Sequence, residues 1–244
     1  MVDLLTQSQN ISEPFYLKVA QGEVSGHSSV HKFGAVPEMS NNASGTVWDV
    51  NDTDYPWASW DTAGVISVAA VNASDDGLEL TIVGLDENYE AQTQTVTVSS
   101  ASATTVTGTW KRVYRAYCTT ATNNNDIIIQ KSGVTVAKIA AGNAQTLMAV
   151  YTVPAGYTAY LLKGAMSCSY ESDATGNMFV RYFGQNSFRI GHSFEVSGHG
   201  GEYCYDFSIP IKLPEKSDID VRAAVRTNNA RLTSAFDILL VKDM

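Results

Sequence analysis

Charge is scarce in this sequence, and positive charge is the scarcer kind. Asp, Glu, Lys and Arg together make up 17% of the 244 residues, against roughly 25% in an average soluble domain. The 16 Lys and Arg are outnumbered by 25 Asp and Glu, for a formal net charge of −9. That balance excludes non-specific nucleic-acid binding, which needs clustered Lys and Arg against phosphate, and disfavours attraction to anionic lipid. Cysteine is rare too. Cys118, Cys168 and Cys204 are odd in number and widely spaced, which suits neither a disulfide framework nor a zinc site. They read as reduced thiols in a protein made in a cytoplasm. Long hydrophobic runs are missing: the longest, around Val65 to Val71, is too short to span a bilayer. The first basic residue is Lys18, and Glu13-Pro14 interrupts the opening apolar stretch, so no export signal is expected. No apolar 3.6-residue period persists over eleven residues, which limits helices to short pieces.

Ser, Thr, Asn and Gly fill the space that charge leaves, and from residue 63 onward they punctuate β patterns. Val65–Val71 is β-branched, and Leu78-Glu79-Leu80-Thr81-Ile82-Val83 alternates apolar with polar. Gln92–Val98 and Trp110–Tyr117 read as further strands. Ile127–Gln130 and Val134–Ile139 flank Lys131-Ser132-Gly133, a hairpin signal. From Thr146 to Val241 seven or eight more strands follow at close spacing, right for a jelly-roll-like sandwich. The expected fold is all-β, with two β-sandwich or jelly-roll-like modules and an irregular N-terminal arm. Residues 1–62 are the arm and an irregular segment leading into the first module, 63–140 the first β module, and 141–244 the C-terminal jelly-roll-like module.

The arm holds three of the four Trp, within Val47-Trp48-Asp49 and Tyr55-Pro56-Trp57-Ala58-Ser59-Trp60. Large aromatics in a stretch without periodicity must bury themselves against the chain's own sheets or against a neighbour. Aromatics and Arg are the usual interface anchors, so Trp48, Trp57, Trp60, Trp110, Arg112 and Arg115 are the candidate contact residues. A variant with Trp57 and Trp60 both changed to Ala that folds and still binds its partner would exclude that role.

Other motifs read more blandly. His27 and His31 have an HxxxH spacing, but Ser28 stands where a zinc protease needs Glu, and Gly26 and Gly34 suggest a loop. Asp49-Val50-Asn51-Asp52-Thr53-Asp54 resembles the start of a calcium loop, yet it lacks the Gly at loop position 6 and has Trp60 at position 12. It reads as a solvated acidic turn. His192, His199 and Cys204 sit close in sequence without an orienting third group. Asn10, Asn42, Asn51 and Asn72 start glycosylation-type triplets that carry no meaning without export. A glycosidase would need a positioned carboxylate pair, and no pair stands out. No metal, cofactor, nucleic-acid partner or membrane partner is expected, and no enzymatic activity.

Several phrases spread over residues 25 to 241 resemble virion structural proteins of tailed bacteriophages, of the marine and cyanophage type. They are Gly26-His27 with Lys32-Phe33-Gly34, Val47-Trp48-Asp49, Gly84-Leu85-Asp86-Glu87-Asn88-Tyr89 with Thr95-Val96-Thr97-Val98, and Lys111-Arg112-Val113-Tyr114-Arg115-Ala116. Ala140 to Ala149, Tyr151 to Tyr160 and Pro214 to Ile219 complete the set. The resemblance implies a capsid decoration or cement protein. Such a protein would be synthesised in the host cytoplasm, bind the major capsid protein on the head exterior and form a homotrimer. A tail, knob or fibre component that binds host glycan is the alternative. The phrases are turn-and-strand motifs and bring no catalytic residues.

Overall fold

The computed structural model describes residues 14–169, 172–197, 201–227 and 229–243. A short helix α1 (Phe15–Ala20) precedes β1 (His27–Met39) and β2 (Ser44–Thr46). A 3₁₀ turn over Trp57–Trp60 leads to β3 (Ile66–Ala70), β4 (Glu79–Asp86), β5 (Ala91–Thr97) and β6 (Thr104–Thr105). Then come β7 (Trp110–Cys118), β8 (Ile127–Lys131), β9 (Val134–Ile139) and β10 (Val150–Thr152). The chain continues through β11 (Tyr157–Cys168), β12 (Ala174–Arg181), β13 (Arg189–Val196), β14 (Glu202–Leu213), β15 (Asp218–Val225) and β16 (Ala230–Lys242). The fold is all-β and sandwich-like, and its strand pairings are antiparallel.

The turns follow from their residues. Ser132 and Gly133, at φ 51° and 80°, close the β8–β9 hairpin with Lys131 paired to Val134. Two central residues of positive φ are what a tight hairpin needs to match strand twist. Between β4 and β5, Asp86 Oδ1 accepts from Asn88 N and Glu90 N at 2.8 and 2.9 Å, and Tyr89 takes a left-handed φ of 65°.

One module comprises β3 to β9. Its sheets have the orders β6-β3-β8-β9 and β5-β4-β7, and Ile66, Val68, Leu80, Ile82, Ile127 and Ile129 sit in the core they share. The larger module has sheets β1-β16-β11-β14 and β10-β15-β12-β13, with β2 added on β15. Counted along the chain, its eight main strands are β1 and then β10 to β16. One sheet takes the first, eighth, third and sixth of them; the other takes the second, seventh, fourth and fifth. That is the order of an eight-stranded jelly roll, two interleaved Greek keys.

This order corrects the expected division of the chain. Residues 27–39 are not part of an irregular arm before the first module; they are the first strand of the C-terminal sandwich, paired along β16 from His27↔Val241 to Met39↔Ala230. The module of residues 66–139 is an insertion between the jelly roll's first and second strands. The His27–His31 segment is likewise strand, not loop. Gly34 lets β1 approach its neighbours closely: a Cβ there would lie 2.1 Å from Val47 O and 2.4 Å from Ala149 N, both backbone atoms. Any side chain would push β1 away from that backbone, whose residues belong to the jelly roll's own core.

Candidate functional site

The seam is built by residues 47–60. Val47 N donates to Val221 O, and Ala149 N donates to Val47 O, at 2.8 and 2.9 Å. Trp48 Nε1 donates to Thr53 O at 3.0 Å, and the Tyr55 hydroxyl donates to Val113 O at 2.9 Å. The rings of Trp48, Tyr55, Trp57 and Phe188 follow one another at centroid spacings of 5.3, 4.7 and 5.3 Å. Burial raises the Tyr55 hydroxyl pKa well above its usual range.

Beneath these rings lies a buried charge network. On β15, Asp218 and Asp220 alternate with Ile219 and Val221, so both carboxylates leave the strand on one side. Arg112 of β7 crosses from the inserted module and grips Asp218 with Nε and Nη2, each at 3.0 Å. Arg181 adds Nε and Nη2 bonds at 3.0 and 2.6 Å, and the Thr152 hydroxyl adds one at 2.6 Å. Burial pulls the Arg112 pKa down, but Asp218 outweighs it and the pKa is raised. Asp220 accepts from Thr46 Oγ1, Trp57 Nε1 and Arg222 Nε at 2.8, 2.8 and 2.7 Å. Its pKa is raised, because burial exceeds the relief these donors give. Arg112 and Arg181 also stand 5.4 and 5.5 Å from the Trp57 ring, a cation–π arrangement inside the protein.

Above the network opens a cleft of about 210 Å³ whose lining includes Trp60, Tyr89, Lys111, Arg112, Arg181, Phe183, Gln185, Lys216 and Asp218. Lys111 Nζ donates to Asp61 O at 2.8 Å and lies 5.5 Å from the Tyr89 ring. Burial, helped by Arg112, lowers its pKa.

The candidate contact residues are placed differently from expectation. Trp48, Trp57, Trp60 and Trp110 are all buried, and Arg112 is only 4% exposed. Buried in this way they offer no surface to a partner: Trp48, Trp57, Trp60 and Arg112 fill the seam, where a buried cation matches Asp218, while Trp110 packs inside the inserted module against Gly64, Gly84 and Thr107. Arg115 alone of the six is exposed; it lies 5.0 Å from the Tyr117 ring and donates to Gln145 Oε1 at 3.3 Å.

The acidic turn also differs. Asp49 is buried, not solvated. Its Oδ2 accepts from Leu147 N at 2.8 Å, while Oδ1 has no hydrogen-bond partner. Asp52 accepts from Ser40, and Asp54 pairs with Arg222 at 3.2 Å, so the three carboxylates face three different partners. Among the described residues no group of three His, Cys, Asp or Glu is placed to hold a metal ion. Burial, more than any neighbour, pushes the Asp49 pKa from 3.8 up to about 7. With the folded pKa above the unfolded one, the contribution to stability is fully present below the unfolded value and is lost as pH rises through about 7. Asp49→Asn is therefore expected to raise stability by about 2–4 kcal/mol above neutral pH and by little near pH 4. Denaturant melts of both proteins across that range check it.

His31 Nδ1 meets Asp237 Oδ1 at 2.5 Å across the β1–β16 pair, and His27 Nδ1 meets Ser25 O at 2.9 Å. His192 packs among the rings of Phe194, Tyr203, Tyr205 and Phe207, and burial lowers its pKa. His199 lies outside the described residues, as does Asn10. The three cysteines are free. Burial raises the pKa of Cys118 and Cys168, and a hydrogen bond to Glu202 raises that of Cys204, so all three favour the thiol over the reactive thiolate.

No protein-family model matches the chain, and no curated protein matches it. Among solved structures it is similar to infectious bursal disease virus of the Gt strain, at 10% identity and a TM-score of 0.23, over 94% of this chain and 78% of that one. A second similarity, to the Gx strain of the same virus, has 8% identity and a TM-score of 0.23, over 96% and 79% of the two chains. At those scores neither decides fold or role. The fold rests on the strand order.

Proposed function

We propose that this chain is a non-enzymatic virion structural protein: a decoration or cement protein that binds the major capsid protein on a phage head exterior and stabilises the head. It is made in the host cytoplasm and acts as a homotrimer. The observation that carries this reading is the open edge of the jelly roll. β13 and β14 end their respective sheets on adjoining sides, and there Ile190, Tyr205 and Ile209 are 58%, 43% and 85% exposed. Pairing of β14 with β11 breaks off between Asp206 and Ile211, and Pro210 in that gap has no N–H to offer a further strand. Such an edge resists strand-to-strand aggregation while presenting apolar side chains.

Two further points support the reading. The jelly roll recurs in viral capsid domains, although fold alone never fixes function. The phage-like phrases include Lys111–Ala116 and Pro214–Ile219, which carry Arg112 and Asp218, the pair that joins the modules. Many shallow edge contacts, repeated over a lattice, hold a protein by avidity without one deep site.

The test is stoichiometry in purified particles, by quantitative mass spectrometry against the major capsid protein. A ratio comparable to that protein supports decoration. A handful of copies supports the second reading, a tail, knob or fibre component, which the use of jelly rolls in lectins also accommodates.

A further inference from the structure

The cleft at the seam has an excess of positive charge that the chain itself does not neutralise. Its lining carries four cations, Lys111, Arg112, Arg181 and Lys216, and two carboxylates, Asp61 and Asp218. This stands out in a chain of net charge −9. Asp218 is already committed to Arg112, Arg181 and Thr152. Lys111 is hydrogen-bonded to the Asp61 backbone carbonyl, which is not an anion. Lys216 has only a loose pair with Glu215, at 3.8 Å. Arg181 uses Nε and Nη2 on Asp218, and among the described residues its Nη1 donates no hydrogen bond. Burial, more than any charge, lowers the Lys111 pKa; Arg112 adds to the lowering, and Asp61 and Asp218 partly offset it.

The backbone at the rim is held in place at some cost. Tyr89 and Lys216 have left-handed φ values of 65° and 59°, a conformation that bulky residues rarely adopt and that concentrates where ligands bind. Asp86 fixes the first turn through Asn88 N and Glu90 N. These two residues, with Phe183, form an aromatic and cationic rim: Tyr89 and Phe183 meet edge to face at 5.8 Å, and Lys216 Nζ stands 5.9 and 5.0 Å from their centroids.

We infer that this cleft is a binding site for a carboxylate presented by an acidic segment of a polypeptide partner, held by Lys111, Arg181 and Lys216. An acidic side chain fits a cleft of about 210 Å³, and a guanidinium with free N–H groups beside two ammonium groups is the donor set that a carboxylate takes. A sugar acid is the weaker fit. Stacking a pyranose needs a free aromatic platform: the Tyr89 ring already has Lys111, Arg112 and Lys216 within 5.5, 5.5 and 5.9 Å, and the exposed Phe183 ring has Lys216 at 5.0 Å and the edge contact with Tyr89. The inference rests on this geometry and not on the virion reading, so it can fail without changing the copy number in particles.

The test is titration of the full chain with a hexaglutamate peptide at low ionic strength, followed by Trp fluorescence and calorimetry. Trigalacturonate and inorganic phosphate are titrated separately as comparison probes. Binding of the peptide is expected, weakening as salt is added and falling about tenfold in either Lys111→Gln or Lys216→Gln, with Lys216→Arg close to the native chain. Both Gln variants remove charges at the rim, and an unchanged melting temperature for either shows that its fold is intact. Three results would overturn the inference: no binding of hexaglutamate by the native chain, equal binding by both folded Gln variants, or binding of trigalacturonate or phosphate but not of the peptide.

Discussion

Asp218→Ala is expected to cost about 3–5 kcal/mol of stability, the usual effect of removing one partner from a buried ion pair. Asp218 lies on β15 of the jelly roll and takes hydrogen bonds from Arg112 of the inserted module, from Arg181 and from Thr152. Without it, the Arg112 guanidinium, 4% exposed, keeps its charge and loses its counter-charge. Two carbonyls still accept from it, Lys111 O at 2.8 Å and Trp60 O at 3.4 Å, but neither neutralises it. The damage therefore falls on the contact between the modules. Equilibrium denaturation is expected to show either a large drop in midpoint or a split into two transitions, one for each module. Pairing the change with Arg112→Met should recover part of the loss, because it removes one of the two cations left without a counter-charge, while Arg181 keeps its own. If Asp218→Ala melts like the native chain, the network is not what joins the modules.

Changing both Trp57 and Trp60 to Ala is expected to be at least as damaging. Each buried Trp→Ala change typically costs about 3–5 kcal/mol, and the two share one core cluster, so their effects will not simply add. Trp57 also donates to Asp220 and lies beside Arg112 and Arg181, so its loss leaves a buried carboxylate with one donor fewer. A combined loss above about 5 kcal/mol reaches the whole stability of many domains. Circular dichroism and denaturant melts should find the double variant mostly unfolded. A failure of that variant to attach to particles would report unfolding and not a lost contact. A well-folded double variant would contradict the placement of these rings.

How much of this was legible in the sequence depends on how far apart the interacting parts lie. The strands of residues 66–139 and 150–242 show locally, because alternation and turn residues mark them one by one. The role of β1 does not. Its partner β16 is about two hundred residues away, as in the pair His27↔Val241, and its early positions His27, Ser28, Ser29 and His31 show no apolar alternation. Position in the chain therefore assigned it to the wrong neighbour, and the insertion could not be seen. The seam left a fainter trace. Lys111-Arg112-Val113-Tyr114-Arg115 is rich in basic side chains, and Asp218-Ile219-Asp220-Val221 alternates acidic ones. Read singly, each looks like a half-exposed strand. Read together, they are complementary, and Arg112 with Asp218 is the pair that meets. The Trp residues misled because a stretch without periodicity resembles a surface loop. Three of them beside Tyr55, in a chain so poor in charge, were equally a sign of filling between two sheets.

The central claim, that this chain is a structural component of a virion, is tested most directly by its copy number in purified particles, measured by quantitative mass spectrometry against the major capsid protein. A number of copies comparable to that of the capsid protein, retained after the particles are washed, is the expected result. Complete absence from particles would contradict the claim.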